Sequence, residues 1–327
     1  MIHGIDTAAL ALRLTGTGYT GPLGIVEGQS MREYHGTVDA PAWGLSSSQI
    51  KEAEPTASHF IGSLEKKRLA KLAGKEDEAE HFLVGTLVHH AILTPDEPFP
   101  TLAVEPSTYT DEKGAAKKWT YQANACKAWR EMQQRAGRIL ISETNLRVVE
   151  SCVASILQDP KLRAMFADGR SEVAYYWRKT VGGVSMLLKA RADFVPYGNC
   201  LVDIKTVAGK GGGDDEFQWE IAKRGYHQSA AHYIDGWSEI GELPNRPAWW
   251  EPKTNFVWVV VEKEPPFLAT AYCCDALALE MGREANEKAV GRIAESCATG
   301  FWAGYKSELR PIGVPKRDKM KFLEDAQ

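Results

Sequence analysis

Two short runs, KARADF ending at Phe194 and LVDIKT beginning at Leu201, constrain this 327-residue chain more than any other segment, because they read as the arms of one β-hairpin. Between them lie Pro196, Tyr197, Gly198 and Asn199, residue types that punctuate strands. Pairing centred on Gly198 sets Asp193 opposite Asp203, and cross-strand Cβ atoms lie roughly 4.5–5.5 Å apart. Two carboxylates that close repel unless a cation lies between them. Alternation along the strand brings Lys205 to the same face as both acids. An Asp, Asp, Lys face points to a divalent-metal hydrolytic site, although Asp-x-Lys alone on an edge strand is more often a solvated face. The same register puts Arg191 opposite Lys205, a like-charge pair that a bound phosphate would relieve. A one-residue slip would turn the whole set to the other face.

Composition narrows the class. Lys and Arg total 39 against 43 Asp and Glu, so the net charge of −4 argues against a chain coated for non-specific DNA binding, while a local basic channel stays compatible with it. Lys66, Lys67 and Arg68, and again Lys117 and Lys118, are basic clusters of the kind usually found on solvated faces. No run approaches the roughly 20 apolar residues of a membrane helix, and MIHGIDTAAL lacks the basic-then-apolar order of a secretory signal. No membrane association and a cytoplasmic location are expected. Six cysteines without CxxC spacing read as buried small hydrophobes.

Along the chain, residues 1–44 read as an irregular, Gly- and Thr-rich arm. GLSSSQIKEAEP opens a helix at a Ser cluster, HFLVGTLVHHAIL forms another, and 97–120 read as loop with short extended pieces. Helices are expected from about 121 to 136 and from 142 to 157. From Glu172 the character turns to strands: EVAYYWRK, SMLLKARADFV and CLVDIKTV. AGKGGGDDEF leads into a helix capped by Asp214 or Asp215 and interrupted at Gly225. NFVWVVVEKE is apolar enough for a strand buried on both faces, FLATAYCC adds a fifth, and a helix covers 275–299. This order predicts an α/β core with helical additions before it.

SEVAYYW, KARADF, VDIKT and YHQSAAHY, in that order, resemble the PD-(D/E)XK nuclease superfamily, and within its RecB-like members the RecE-like exodeoxyribonuclease VIII group often carried by phages and prophages. Upstream, GTLVHHAILTPDEP is similar to that group's GTxxHxxxLxP segment, GLSSSQIKEAEPTASHF to its opening helix, and WAGY at 302–305 to its end. The resemblance runs from about Leu45 to Tyr305. It implies a restriction-endonuclease-like α/β core, a mixed central sheet flanked by helices. The expected organisation is a nuclease domain over 45–306, helical to 165 and sheet-based from 166, followed by a tail at 307–327.

Carried onto these positions, the resemblance implies that His89, Asp193 and Asp203, with the backbone carbonyl of Ile204, hold magnesium, for which manganese would substitute. Glu172 would assist the metal or its network, and Lys205 would orient or deprotonate the attacking water. Gln228 and Tyr233 match a QxxxxY element lining the same pocket, with His227 where an apolar residue is usual. Ser46 and Ser48, at a helix start, and Arg191 are candidate contacts to DNA phosphate. The implied activity is a 5′→3′ exonuclease on linear double-stranded DNA that leaves 3′ single-stranded tails. Its partners would be an annealing recombinase and further copies of the chain in a ring. The alternatives are an endonuclease or single-strand nuclease on the same fold, and a non-catalytic DNA- or partner-binding module.

Overall fold

The computed structural model describes residues 4–37, 42–73, 80–97, 99–314, 319–320 and 323–324, with side chains from 83 onward in the third stretch. The first residues are not the irregular arm expected. Asp6 caps α1 (Thr7–Thr15) by accepting from the Ala8 and Ala9 N–H groups at 3.0 Å, β1 (Gly24–Val26) follows, and a Ser30–Glu33 capping box opens α2 (Met31–His35). Elements this short carry too few residues for periodicity to reveal them. Tertiary contact secures them: Leu14 and Tyr34 are buried, and Arg178 donates to the carbonyls of Thr15 and Gly16.

Helices α3 (Ser47–Glu52) and α5 (Glu80–Leu93) lie where the Ser cluster and the apolar run placed them. Between them α4 (Ala57–Leu72) is an addition whose polar EKKR stretch hides its apolar face. The short pieces β2 (Leu102–Glu105), β3 (Thr108–Thr110) and β4 (Ala116–Lys118) precede α6 (Asn124–Arg135), β5 (Ile139–Ser142), α7 (Glu143–Gln158) and α8 (Pro160–Ala164). Three long strands come next: β6 (Gly169–Val181), β7 (Val184–Pro196) and β8 (Cys200–Val207). The chain continues through α9 (Asp214–Arg224), α10 (Tyr226–Gly241), β9 (Asn255–Glu262), β10 (Ala269–Cys273) and α11 (Ala276–Thr299). Gly213 occupies the cap of α9, with Asp214 and Asp215 in its first turn, where carboxylates favour the helix dipole. Gly225, at φ +62°, ends α9 in the left-handed conformation and turns the chain directly into α10.

Six strands form one sheet in the order β1-β6-β7-β8-β9-β10. All neighbours are antiparallel except β8 and β9, which run parallel with Asp203 opposite Trp258 and Lys205 opposite Val260. The sheet separates two cores. Tyr175, Trp177, Trp237 and Trp258 fill one, with residues of α3, α4, α10 and α11; Val202, Ile204 and Val259 meet α5 and α7 in the other. Strand β9 feeds both, as its unbroken apolar composition requires. Each fully buried side chain of this size contributes about 1.5–3 kcal/mol relative to exposure. Gly236 lets the Trp177 ring approach α10, since a Cβ there would come within 2.4 Å of it. A mixed sheet with helices on both faces and helical additions before it is the expected architecture. Among the described residues no helix is long and apolar enough to cross a membrane.

Candidate active site

Phe194 pairs with Val202, the register of a turn centred on Gly198. Beyond that pair the strands part. β7 takes another partner, with the Leu45 N–H donating to the Leu187 carbonyl at 2.9 Å and the Lys189 N–H to the Leu45 carbonyl at 3.0 Å, while β8 continues beside β9. The Asp193 carboxylate fills the fork, its Oδ2 accepting from the Ile204 N–H at 2.9 Å. On the other flank the β6–β7 register passes from Ser171 opposite Phe194 to Val173 opposite Ala192, which leaves Glu172 abreast of Asp193 at φ +55°. A left-handed conformation costs a residue with a Cβ roughly 1–2 kcal/mol, and such strain tends to collect at functional sites. Ala192 packs in one core and Phe194 in the other, so β7 breaks its alternation at Asp193. The three residues therefore do not share one plain face: Asp203 and Lys205 do, and Asp193 enters edge-on.

Helix α5 brings His89 to the same fork. Its Nε2 lies 3.0 Å from the Ile204 carbonyl oxygen and its Nδ1 3.5 Å from Asp193 Oδ2. Lys205 Nζ is 2.5 Å from Asp203 Oδ2 and 5.2 Å from the centre of the Tyr226 ring. The contact with Asp203 is an ion pair without hydrogen-bond alignment, and that buried oxygen has no other partner. Arg191 does not stand against Lys205. Its Nε donates to Glu172 Oε2 and its Nη1 to the Gln29 carbonyl, both at 2.5 Å, so each cation of the expected like-charge pair is neutralised by its own acid.

Burial dominates the electrostatics of the fork. It pushes the Asp193 carboxyl up to about 6, against the pull of His89 and Lys205, and the charges of Asp203 and Glu172 add to the rise. For Lys205 burial acts downward, but Asp203 and then Asp193 outweigh it and the ammonium is held above its ordinary range.

Helix α10 supplies the wall. Gln228 Nε2 donates to Glu54 Oε2 at 3.1 Å, while its buried Oε1 has no partner. Burial, with the nearby charges of Tyr34, Asp193 and Asp203, raises the Tyr233 phenol well above its usual value, and its backbone carbonyl accepts from the Tyr175 hydroxyl at 2.8 Å. Two neighbours carried no signal in sequence. One is Tyr226 beneath Lys205; the other is Lys51 of α3, which donates to the Arg224 carbonyl and Ser229 Oγ, both at 3.1 Å. Burial first, then the charge of Lys205, lowers the Lys51 ammonium to about 8. Ser46 gives both its amide and its hydroxyl to Gln49 Oε1 at 3.0 Å and lies 3.2 Å from Ser48 Oγ, so the two serines are engaged within the six-residue α3.

Among the described residues no group of three or more His, Cys, Asp or Glu side chains is arranged to hold a metal ion. The donors at the fork nonetheless fit a divalent cation. The half-buried Asp193 carboxylate, the buried Asp203 carboxylate, whose Oδ2 has no partner beyond the Lys205 ion pair, and the Ile204 carbonyl are hard oxygen ligands, and His89 adds a nitrogen.

Residues 46–309 match the family described as "PDDEXK-like domain of unknown function (DUF3799)". The chain belongs to this family. It is thereby placed in the PD-(D/E)XK nuclease superfamily, whose members generally use divalent metal ions. A comparison with curated proteins found no match. Among solved structures, a "Putative exonuclease" from Eubacterium rectale superposes with a TM-score of 0.47 at 15% identity, over 83% of this chain and 89% of that one. The protein SSO0001 gives a TM-score of 0.25 at 12% identity, over 63% and 84%.

Proposed function

We propose that this member of the family is a metal-dependent deoxyribonuclease of the RecE-like kind. It would degrade linear double-stranded DNA 5′→3′, in the cytoplasm of a bacterial host, and leave 3′ tails for an annealing recombinase. The observation that carries the nuclease reading is the fork, where Asp193, Asp203, the Ile204 carbonyl, His89 and Lys205 meet and the buried Asp203 Oδ2 is held by its ion pair with Lys205 alone. The end specificity, the polarity and a ring of further copies rest on the resemblance of the ordered motifs.

Asp193, Asp203 and the Ile204 carbonyl would hold magnesium or manganese with His89, and such an ion supplies a water of lowered pKa and neutralises charge on a phosphate. The chain's own groups arrange the rest. Lys205, kept as an ammonium by Asp203 and Asp193, presents a positive charge and proton donors beside the reacting phosphate. The Tyr226 ring limits where that ammonium can move. Glu172 anchors Arg191, and either Arg191 or the Ser46–Ser48 pair reaches a DNA phosphate only by exchanging its present partner. Gln228 and Tyr233 close the α10 side against bulk water.

The test is digestion of linear duplex labelled at either strand end, beside covalently closed circles, with magnesium and with EDTA. Metal-dependent release of the 5′ label ahead of the 3′ label, with circles left intact, is expected. Linearised circles would replace the exonuclease reading with an endonuclease, and no release from any substrate would remove the enzyme reading.

A further inference from the structure

A second feature stands apart from the fork. Helix α4 turns one face toward a cleft of about 840 Å³ that it shares with α2. The floor is made of small residues, Gly62, Ser63 and Ala70, and a Cβ on Gly62 would meet nothing within 4 Å. Lys66, Lys67 and Lys71 rise beside that floor, all exposed, with Lys67 and Lys71 one helical turn or about 6 Å apart. His35 stands on the opposite side. Glu52 is the acid of the lining, and it lies 3.8 Å from Lys67. In a chain of net charge −4, this cleft is locally positive.

The cleft also adjoins the fork. The Tyr34 carbonyl, one residue before His35, accepts from Lys189 of β7 at 2.6 Å, and the Gln29 carbonyl, just before α2, accepts from Arg191, the residue ion-paired to Glu172. A shallow floor of small side chains edged by lysines at helical spacing suits a regularly charged polyanion that lies along α4. Lysine heads reach phosphates as point charges while their stems pack along the floor.

We propose that the α2–α4 cleft seats the sugar–phosphate backbone of duplex DNA next to the fork, with Lys66, Lys67 and Lys71 as its phosphate contacts. This deepens the nuclease reading by locating the duplex, and it is testable without turnover.

The experiment is anisotropy of a labelled blunt duplex with the full chain in EDTA, across roughly 50–200 mM salt, where each phosphate contact adds about 0.9 to the slope of log affinity against log salt. Lys66→Ala, Lys67→Ala, Lys71→Ala should weaken binding and lower that slope by between about two and three. Lys67→Arg, Lys71→Arg should keep it, which separates lost charge from damaged folding. A Lys117→Ala, Lys118→Ala variant in the separate β3–β4 sheet is the control, expected to leave the slope unchanged. An unchanged slope in the triple variant, an equal loss per charge in the control, or no duplex binding by wild type would overturn the proposal. Because no cleavage is read, a protein that binds in this way but digests nothing would sink the nuclease reading and leave this one standing.

Discussion

Strand β7 carries two ionisable groups four residues apart, Lys189 buried and Asp193 half-buried, and treats them in opposite ways. Lys189 is 3% exposed, donates to the Tyr34 carbonyl at 2.6 Å and lies 4.6 Å from the centre of the Tyr34 ring; burial alone lowers it to about 8. Its surroundings are neutral groups of the fold itself, so the site is closed. Asp193 sits among Glu172, Asp203, His89 and Lys205, where burial works against its ionised form and the neighbouring Asp203 Oδ2 is held by its ion pair with Lys205 alone. A charge answered by a carbonyl and a ring serves the fold; charges crowded together without full compensation need something from outside.

That contrast is broken or sharpened most strongly by Asp193→Asn. Cleavage of linear duplex should fall about 10³-fold, as for loss of one major electrostatic contribution to catalysis, while the melting temperature in EDTA stays at or above that of wild type. A large drop in melting temperature would erase the distinction. Lys189→Ala should do the reverse. Leaving the Tyr34 carbonyl orphaned and removing a packed side chain should cost about 3 kcal/mol in urea unfolding, with the cleavage rate of the folded fraction near wild type.

The fold's interior also sets a pH dependence. His232 donates its Nε2–H to the Lys189 carbonyl, 2.9 Å away, and burial lowers it to about 4. A depressed histidine leaves the unfolded chain binding the proton first, so its contribution is complete above about 6.5 and is lost as pH falls from there toward about 4. The loss amounts to roughly 3 kcal/mol at most. His232→Gln should flatten that part of the stability profile, and an unflattened profile would show that the histidine is not the group responsible. The smallest change is expected for Glu172→Asn, because Asn tolerates the left-handed conformation better: stability should move by less than about 1 kcal/mol. Cleavage should fall about tenfold, and no loss would relieve Glu172 of any role.

Much of this was legible in sequence because turn chemistry is local. Pro196 to Asn199 announced the turn, and Phe194 does meet Val202 in the register centred on Gly198. The fork was not legible, since it depends on Leu45, more than a hundred residues upstream, taking the hydrogen bonds of β7 at Leu187 and Lys189. The same blindness produced the Arg191–Lys205 expectation: a hairpin read in isolation omits β6, whose Glu172 claims the arginine. Lys51 and Tyr226 escaped notice because only the packing of α3 and α10 beside β8 gives them a neighbour. Residues 4–37 hid for another reason, their elements being short and held by tertiary contact alone.

The central claim is that the fork is completed by a divalent cation. Calorimetric titration of the metal-free protein with manganese tests it most directly. Wild type should show saturable binding that Asp203→Ala abolishes and Lys189→Ala leaves in place in the folded fraction. Binding by Asp203→Ala with wild-type affinity, or no binding by wild type, would contradict the account.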